Sequence, residues 1–196
     1  NSVFTSASAV GLSATELELI VVHDGLKNTL LDIANITEPF TVKQFVKPRS
    51  GLAGARNYGT KHATGLYIMC LDGDDYVRKS FFGMILPTLR QGDADVVQTD
   101  MANRDLKLLW APPTYDPETL PHQNQFHASA IFRRELWERV GGFRPELFFG
   151  WEDWDFWVRL STIKPALHVV NVREPLFVYT VGEMHGFCVD NHAACR

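Results

Sequence analysis

Short apolar runs alternate with segments of helical period along the first half of the chain. Leu19, Ile20, Val21 and Val22 form a continuous apolar run that stops at His23-Asp24-Gly25, a turn signal. Such a run predicts a strand buried on both faces, as in a parallel sheet. Residues 41–46 predict a second strand, and residues 51–63 a loop leading into a helix. Residues 66–71 predict a third strand, which stops at Asp72-Gly73-Asp74-Asp75. Residues 79–90 carry Phe82, Ile85, Leu86 and Leu89 on one helical side, with Pro87 disturbing the last turn. Residues 94–98 predict a further strand. Strands alternating with helices imply βαβ units and a doubly wound α/β sheet. Ligands of such sheets gather beyond the carboxyl ends of the strands. Two of the predicted strands end there in acidic turns containing glycine.

The second half has a different texture. Residues 103–125 contain Pro112, Pro113, Pro117 and Pro121 and predict a loop with one short strand at 106–110. An apolar run at 126–132 leads to a helix at 134–140 and the Gly141-Gly142 break. A helix at 152–160 follows, then strands near 167–172 and 176–179. No repeat or linker interrupts the series, so the sequence predicts a single domain over residues 1–196.

With 45% hydrophobic and 21% charged residues, 196 residues suffice for a substantial core. The net charge of −4 leaves no basic excess, which argues against nucleic acid as the main partner. Cys70, Cys188 and Cys195 lack C-x-x-C spacing, so neither a disulfide framework nor a zinc ribbon is indicated. No apolar run approaches the roughly 18 residues of a membrane span, and no transmembrane segment is predicted.

Three segments carry candidate chemistry. Asp72, Asp74 and Asp75 repel one another within four residues, and oxygen-only ligands favour a hard cation such as Mg²⁺ or Mn²⁺. In an extended segment Asp72 and Asp74 would face one site; a solvated surface turn reads the same way. An EF-hand does not fit, because Val77 and Gly83 stand where that loop needs Gly and Glu. Residues 51–61 are rich in glycine, and Arg56 can grip a phosphate bidentately. Thr60 and Lys61 stand in the wrong order for a P-loop, and small residues packing a helix on the sheet explain this segment equally. Finally, Glu152 and Asp153 open a predicted helix among Trp151, Trp154 and Trp157. They read as helix-capping acids or as a general base against an aromatic wall. His185, after the last strand, is a further candidate ligand for metal or phosphate, or a surface histidine.

The order of these segments is informative. "ELIVVHDGL", then "SGLAGARNYGTKHATGLYIMCLDGDD", then "FHASAIFRRELWERVGGFRPELFFGWEDWDFWVRL" resembles family 2 glycosyltransferases of the GT-A fold. The likeness spans residues 18–179. It implies a mixed sheet flanked by helices and the transfer of a sugar from a nucleotide-diphosphate sugar to a glycan, lipid or protein acceptor. It implies nucleotide-sugar contacts at Asp24, Arg56, Asn57, Asp72 and Trp151. Mn²⁺ or Mg²⁺ would be held at Asp72 and Asp74, with Asp75 as the alternative ligand, and Asp153, beside Glu152, would be the base of an inverting displacement. The family's first strand has no counterpart from Asn1 onward, so the likeness implies that it lies upstream; residues 1–10 then read as the helix that follows it. A sheet without that strand has a gap in its middle. A cytoplasmic or membrane-peripheral location is expected, or a Golgi lumen in a eukaryote. A nucleotidyltransferase making sugar nucleotides, and a non-catalytic relative that binds them, are the alternatives.

Overall fold

The computed structural model describes residues 2–25, 40–148, 150–164 and 166–180. Helix α1 (Ser2–Ala9) leads into strand β1 (Glu18–Asp24), which pairs in parallel with β2 (Thr41–Lys47) over seven residues. Helix α2 (Gly51–His62) follows and packs on β1. Strands β3 (Tyr67–Ile68) and β4 (Tyr76–Val77) bracket the acidic turn, and α3 (Phe81–Gln91) runs on through Pro87. The rest comprises β5 (Val96–Ala102), β6 (Leu108–Trp110), β7 (Ile131–Arg133), α4 (Arg134–Val140), α5 (Glu152–Ile163) and β8 (Val169–Val178). No helix among the described residues is long and apolar enough to cross a membrane.

The expected continuous sheet is divided in two. β1 and β2 form a separate parallel pair, while the larger sheet has the order β3-β7-β5-β8-β4 with β6 on the edge of β5. β5 runs parallel to β8 and antiparallel to β7 and β6, so the larger sheet is mixed. Among the described residues, β1 has no strand on its outer edge. A groove of about 610 Å³ lies there, with β1 as one wall, residues 65–73 as the other, and Gly51, Leu52, Ala55, Arg56 and Gly59 of α2 as its floor. The strand expected at 66–71 shrinks to Tyr67–Ile68 because only these two residues meet β7; the rest of the segment borders the groove.

Two strands expected near 167–172 and 176–179 are one, β8. Its pairing with β5 shifts register where Asp100 faces Pro175. Proline has no N–H for the ladder, so a bulge there lets one strand continue past it. Phe126 stacks on Trp157 at 4.5 Å and Phe143 on Phe156 at 4.5 Å, joining the segment before β7 and the segment after α4 to α5. This buried aromatic cluster makes a firm base for the N-terminal turn of α5, where the candidate acids sit.

Glu18 fastens the smaller pair to the segment that follows α2. Its carboxylate accepts hydrogen bonds from the backbone of Thr64 and Gly65 and from Lys43 at 2.9 Å. Burial alone would raise its pKa, but the hydrogen bonds from Lys43 and Thr64 prevail and hold it near 2. A depressed folded pKa stabilises the fold above the unfolded value and loses that stability as pH falls. Glu18→Gln therefore costs on the order of 2 kcal/mol at neutral pH, and the difference from wild type closes between about pH 4.5 and pH 2. Urea titrations at a series of pH values check this; a gap that does not change with pH contradicts it.

Candidate active site

β1 delivers Asp24 to the rim of the groove, and the segment after β3 delivers Asp72 to the same groove although 48 positions separate them. Asp24 is engaged by the protein itself. Its oxygens accept the backbone N–H groups of Ser50 at 2.9 Å and Gly51 at 2.8 Å, and Lys47 pairs with it at 2.9 Å. A carboxylate there complements the positive end of α2. Burial works against its charge, but the Ser50 and Lys47 bonds outweigh it and keep the pKa below the usual aspartate value.

Arg56, on α2 and largely buried, reaches two acids from different elements. One nitrogen donates to Glu152 at 2.5 Å and another to Asp72 at 3.1 Å. Burial would favour loss of its proton; Asp72, then Glu152 and Asp153, reverse that and hold the charge. Arg56 thus ties the acidic turn to the start of α5. Glu152, only 4% exposed, is paired with Arg56 and does not border the cavity described below.

Asn57, expected at the nucleotide, has a different task. Its amide donates to the Phe143 carbonyl at 2.7 Å and accepts from Trp137 at 3.0 Å and the Phe143 N–H at 2.8 Å. These bonds staple α2 to the Gly141-Gly142 turn. Gly142, at φ +78°, must lack a side chain here, because a Cβ would come within 2.6 Å of that amide oxygen. Trp151, also expected at the donor, is 41% exposed, has a left-handed backbone at φ 65°, and leans edge-on against Trp154 at 5.5 Å. It borders neither the groove nor the cavity.

A cavity of about 470 Å³ adjoins the groove through Asp72, which lines both. Asp75 and Asp153 line it too, together with Trp110, Asn124, Phe126, His127, Ser129, Phe177 and Tyr179. The alternation argument for Asp74 fails because residues 72–75 are a closed turn, with the Asp75 N–H donating to the Asp72 carbonyl at 3.1 Å. Asp74 is exposed and absent from the lining, whereas Asp75, the alternative ligand, lines the cavity. Thr180 secures the turn by donating its N–H to the Asp75 carboxylate at 2.8 Å. His185 lies outside the described residues.

Asp153 lines this cavity together with Asp72 and Asp75 of the acidic turn. Burial raises its pKa; the positive charge of Arg56 opposes that without cancelling it. Tyr179 borders the same space, and its phenol is pushed up by burial and by Asp75, Asp72 and Asp74. The aromatic wall and His127 escape sequence reasoning, because Phe126, His127 and Ser129 read only as part of an apolar run before a strand.

The donor set suits a hard divalent cation. Mg²⁺ and similar ions use one or two carboxylates and complete their shell with substrate phosphates and water. Asp72 and Asp75 are the carboxylates lining the cavity that would hold such an ion; no three His, Cys, Asp or Glu side chains among the described residues converge on one point.

The likeness to known proteins follows the same geometry. The chain is 27% identical over 183 residues to the uncharacterized glycosyltransferase EpsJ of Bacillus subtilis, covering 84% of this chain and 53% of that one. It spans about half the length of the first curated relatives it matches. The fold matches Staphylococcus aureus TarS 1–349 in complex with UDP-GlcNAc, with a TM-score of 0.74 at 19% identity, over 94% of this chain and 55% of that one. It also matches the mannosyltransferase PcManGT of Pyrobaculum calidifontis in complex with GDP-Man and Mn²⁺, with a TM-score of 0.68 at 20% identity, over 94% and 52%. These likenesses establish the GT-A fold. The family model for glycosyl transferase family 2 matches residues 3–150, three quarters of the chain, and the chain belongs to that family.

Proposed function

We propose that this domain transfers a sugar from a nucleotide-diphosphate donor to an acceptor hydroxyl by inverting displacement, with a divalent cation at the acidic turn. The observation that carries the reading is that Asp153, its carboxyl pushed up by burial, lines one cavity together with Asp72 and Asp75. In-line inversion needs a base on one side of the anomeric carbon and the leaving group on the other. Asp153 takes the proton of the acceptor hydroxyl as that oxygen forms its bond to the anomeric carbon. The bond from that carbon to the diphosphate breaks, and its electron pair leaves with the diphosphate toward Asp72 and Asp75. A bound divalent cation would neutralise the charge gathering on that diphosphate. Arg56 ties Asp72 of the acidic turn to Glu152, the neighbour of Asp153, and so fixes the two segments relative to each other. The glycosyltransferase relatives and the donors bound in the similar structures support a nucleotide sugar as substrate.

A panel of UDP- and GDP-sugars with and without Mn²⁺, read by thermal shift and by donor hydrolysis, tests the reading. At least one sugar nucleotide should raise the melting temperature in a Mn²⁺-dependent way and be turned over. Pyrophosphate release from a nucleoside triphosphate would favour a nucleotidyltransferase, and binding without turnover a non-catalytic relative.

The same reading assigns an occupant to the groove beside β1: a parallel strand from chain preceding Asn1. β1 and residues 65–73 both run toward the Asp24 and Asp72 end, and the Ser2 hydroxyl accepts the Val77 N–H at 3.2 Å near that end. A chain carrying the upstream residues should melt at a higher temperature than residues 1–196 alone; equal melting contradicts this assignment.

A further inference from the structure

His127 is a polar side chain in a setting built for an apolar one. It is 8% exposed, stacked face to face on Phe177 at 4.9 Å, and meets the edge of Trp110 at 6.5 Å. Neither ring nitrogen has a hydrogen-bond partner of acceptable geometry. Leaving such groups unmatched is costly, and a phenylalanine could stack on Phe177 equally well. Burial pushes the ring down to about 4, with the Thr99 backbone opposing, so the imidazole is neutral at physiological pH. A neutral imidazole carries one N–H donor and one bare nitrogen acceptor. Either nitrogen can pair with a hydroxyl, which accepts from the N–H or donates to the bare nitrogen.

The surroundings narrow the ligand further. His127 borders the cavity that holds Asp72, Asp75 and Asp153, so a bare anion would be repelled there. Trp110, Phe126 and Phe177 give the same cavity apolar walls, suited to the C–H faces of a sugar ring. We propose that His127 is a specificity-determining contact that hydrogen-bonds a hydroxyl of the donor's sugar ring, adding recognition of the sugar to that of the nucleotide. This rests on the glycosyltransferase reading and extends it to a residue outside the acidic motifs. The donor ring is favoured over an acceptor sugar because Asp72 and Asp75, where the diphosphate would leave, line the same cavity.

Calorimetry on the wild type, His127→Phe and His127→Gln tests it, with UDP and GDP and their hexose derivatives as probes in the presence of Mn²⁺. The Phe variant keeps the stack on Phe177, and undiminished affinity for the free nucleoside diphosphate shows that it is folded. The expected result is unchanged diphosphate binding and about tenfold weaker binding of the sugar nucleotide in His127→Phe, the effect of one lost hydrogen bond, with partial recovery in His127→Gln. Equal affinities of wild type and His127→Phe for the sugar nucleotide overturn the proposal. So does a change confined to the KM for acceptor. If the wild type binds none of the sugar nucleotides, the glycosyltransferase reading itself fails and takes this inference with it.

Discussion

Asp153→Asn should lower sugar transfer by about 10²- to 10⁴-fold, the usual contribution of a general base, while leaving donor affinity near wild type. Asparagine nearly matches aspartate in volume and caps a helix equally well, so a purely structural Asp153 would make the substitution almost silent. The pH profile gives a second readout. A base works only when deprotonated, and burial raises the Asp153 pKa. The acid limb of kcat/KM should therefore rise through a value above the ordinary aspartate figure, and Asp153→Asn should abolish that limb. Wild-type turnover in the variant would remove Asp153 from the mechanism.

Arg56→Met should be the most destabilising single change near the site. It keeps much of the aliphatic stem but leaves Glu152, whose side chain is 5% exposed, without its counter-charge. Breaking a buried pair from one side typically costs about 3–5 kcal/mol. Removing the second charge as well relieves much of that cost, so Arg56→Met/Glu152→Gln should be more stable than Arg56→Met alone. Urea denaturation of the two single variants and the double variant gives the coupling. The loss of Arg56 also removes the charge that opposes the rise of the Asp153 pKa, so the acid limb of the surviving activity should move further up. A loss below about 1 kcal/mol, typical of an exposed ion pair, would contradict the burial argument.

Sequence reasoning reached the parts of this protein that local pattern encodes. The run at 19–22 is continuous and apolar because β1 lies in a parallel pair packed by α2 on one face, and its strand character needs no distant partner to be recognised. Asp24 and Asp72 were legible as neighbours because both end strand-like runs. The strand at 66–71 was overextended because its length depends on which neighbours reach it, and only β7 does. Asp74 was paired with Asp72 by the family resemblance and by alternation in an extended backbone; the turn closed by the Asp75 N–H removes the second of these grounds. Asn57 looked free for a ligand because its partners, Trp137 and Phe143, lie 80 and 86 positions away. His127 looked like core because its distinguishing feature, two unmatched nitrogens, exists only once Phe177 and Trp110 have closed around it.

The central claim is that a sugar changes hands in the cavity between the acidic turn and Asp153. Proton and phosphorus NMR of the reaction, with the sugar nucleotide and acceptor selected from the panel, tests it most directly. The account predicts that nucleoside diphosphate appears together with a product of inverted anomeric configuration, and that both signals fall by at least about a hundredfold in Asp153→Asn. Retained configuration, or product formed at the wild-type rate by Asp153→Asn, would contradict it.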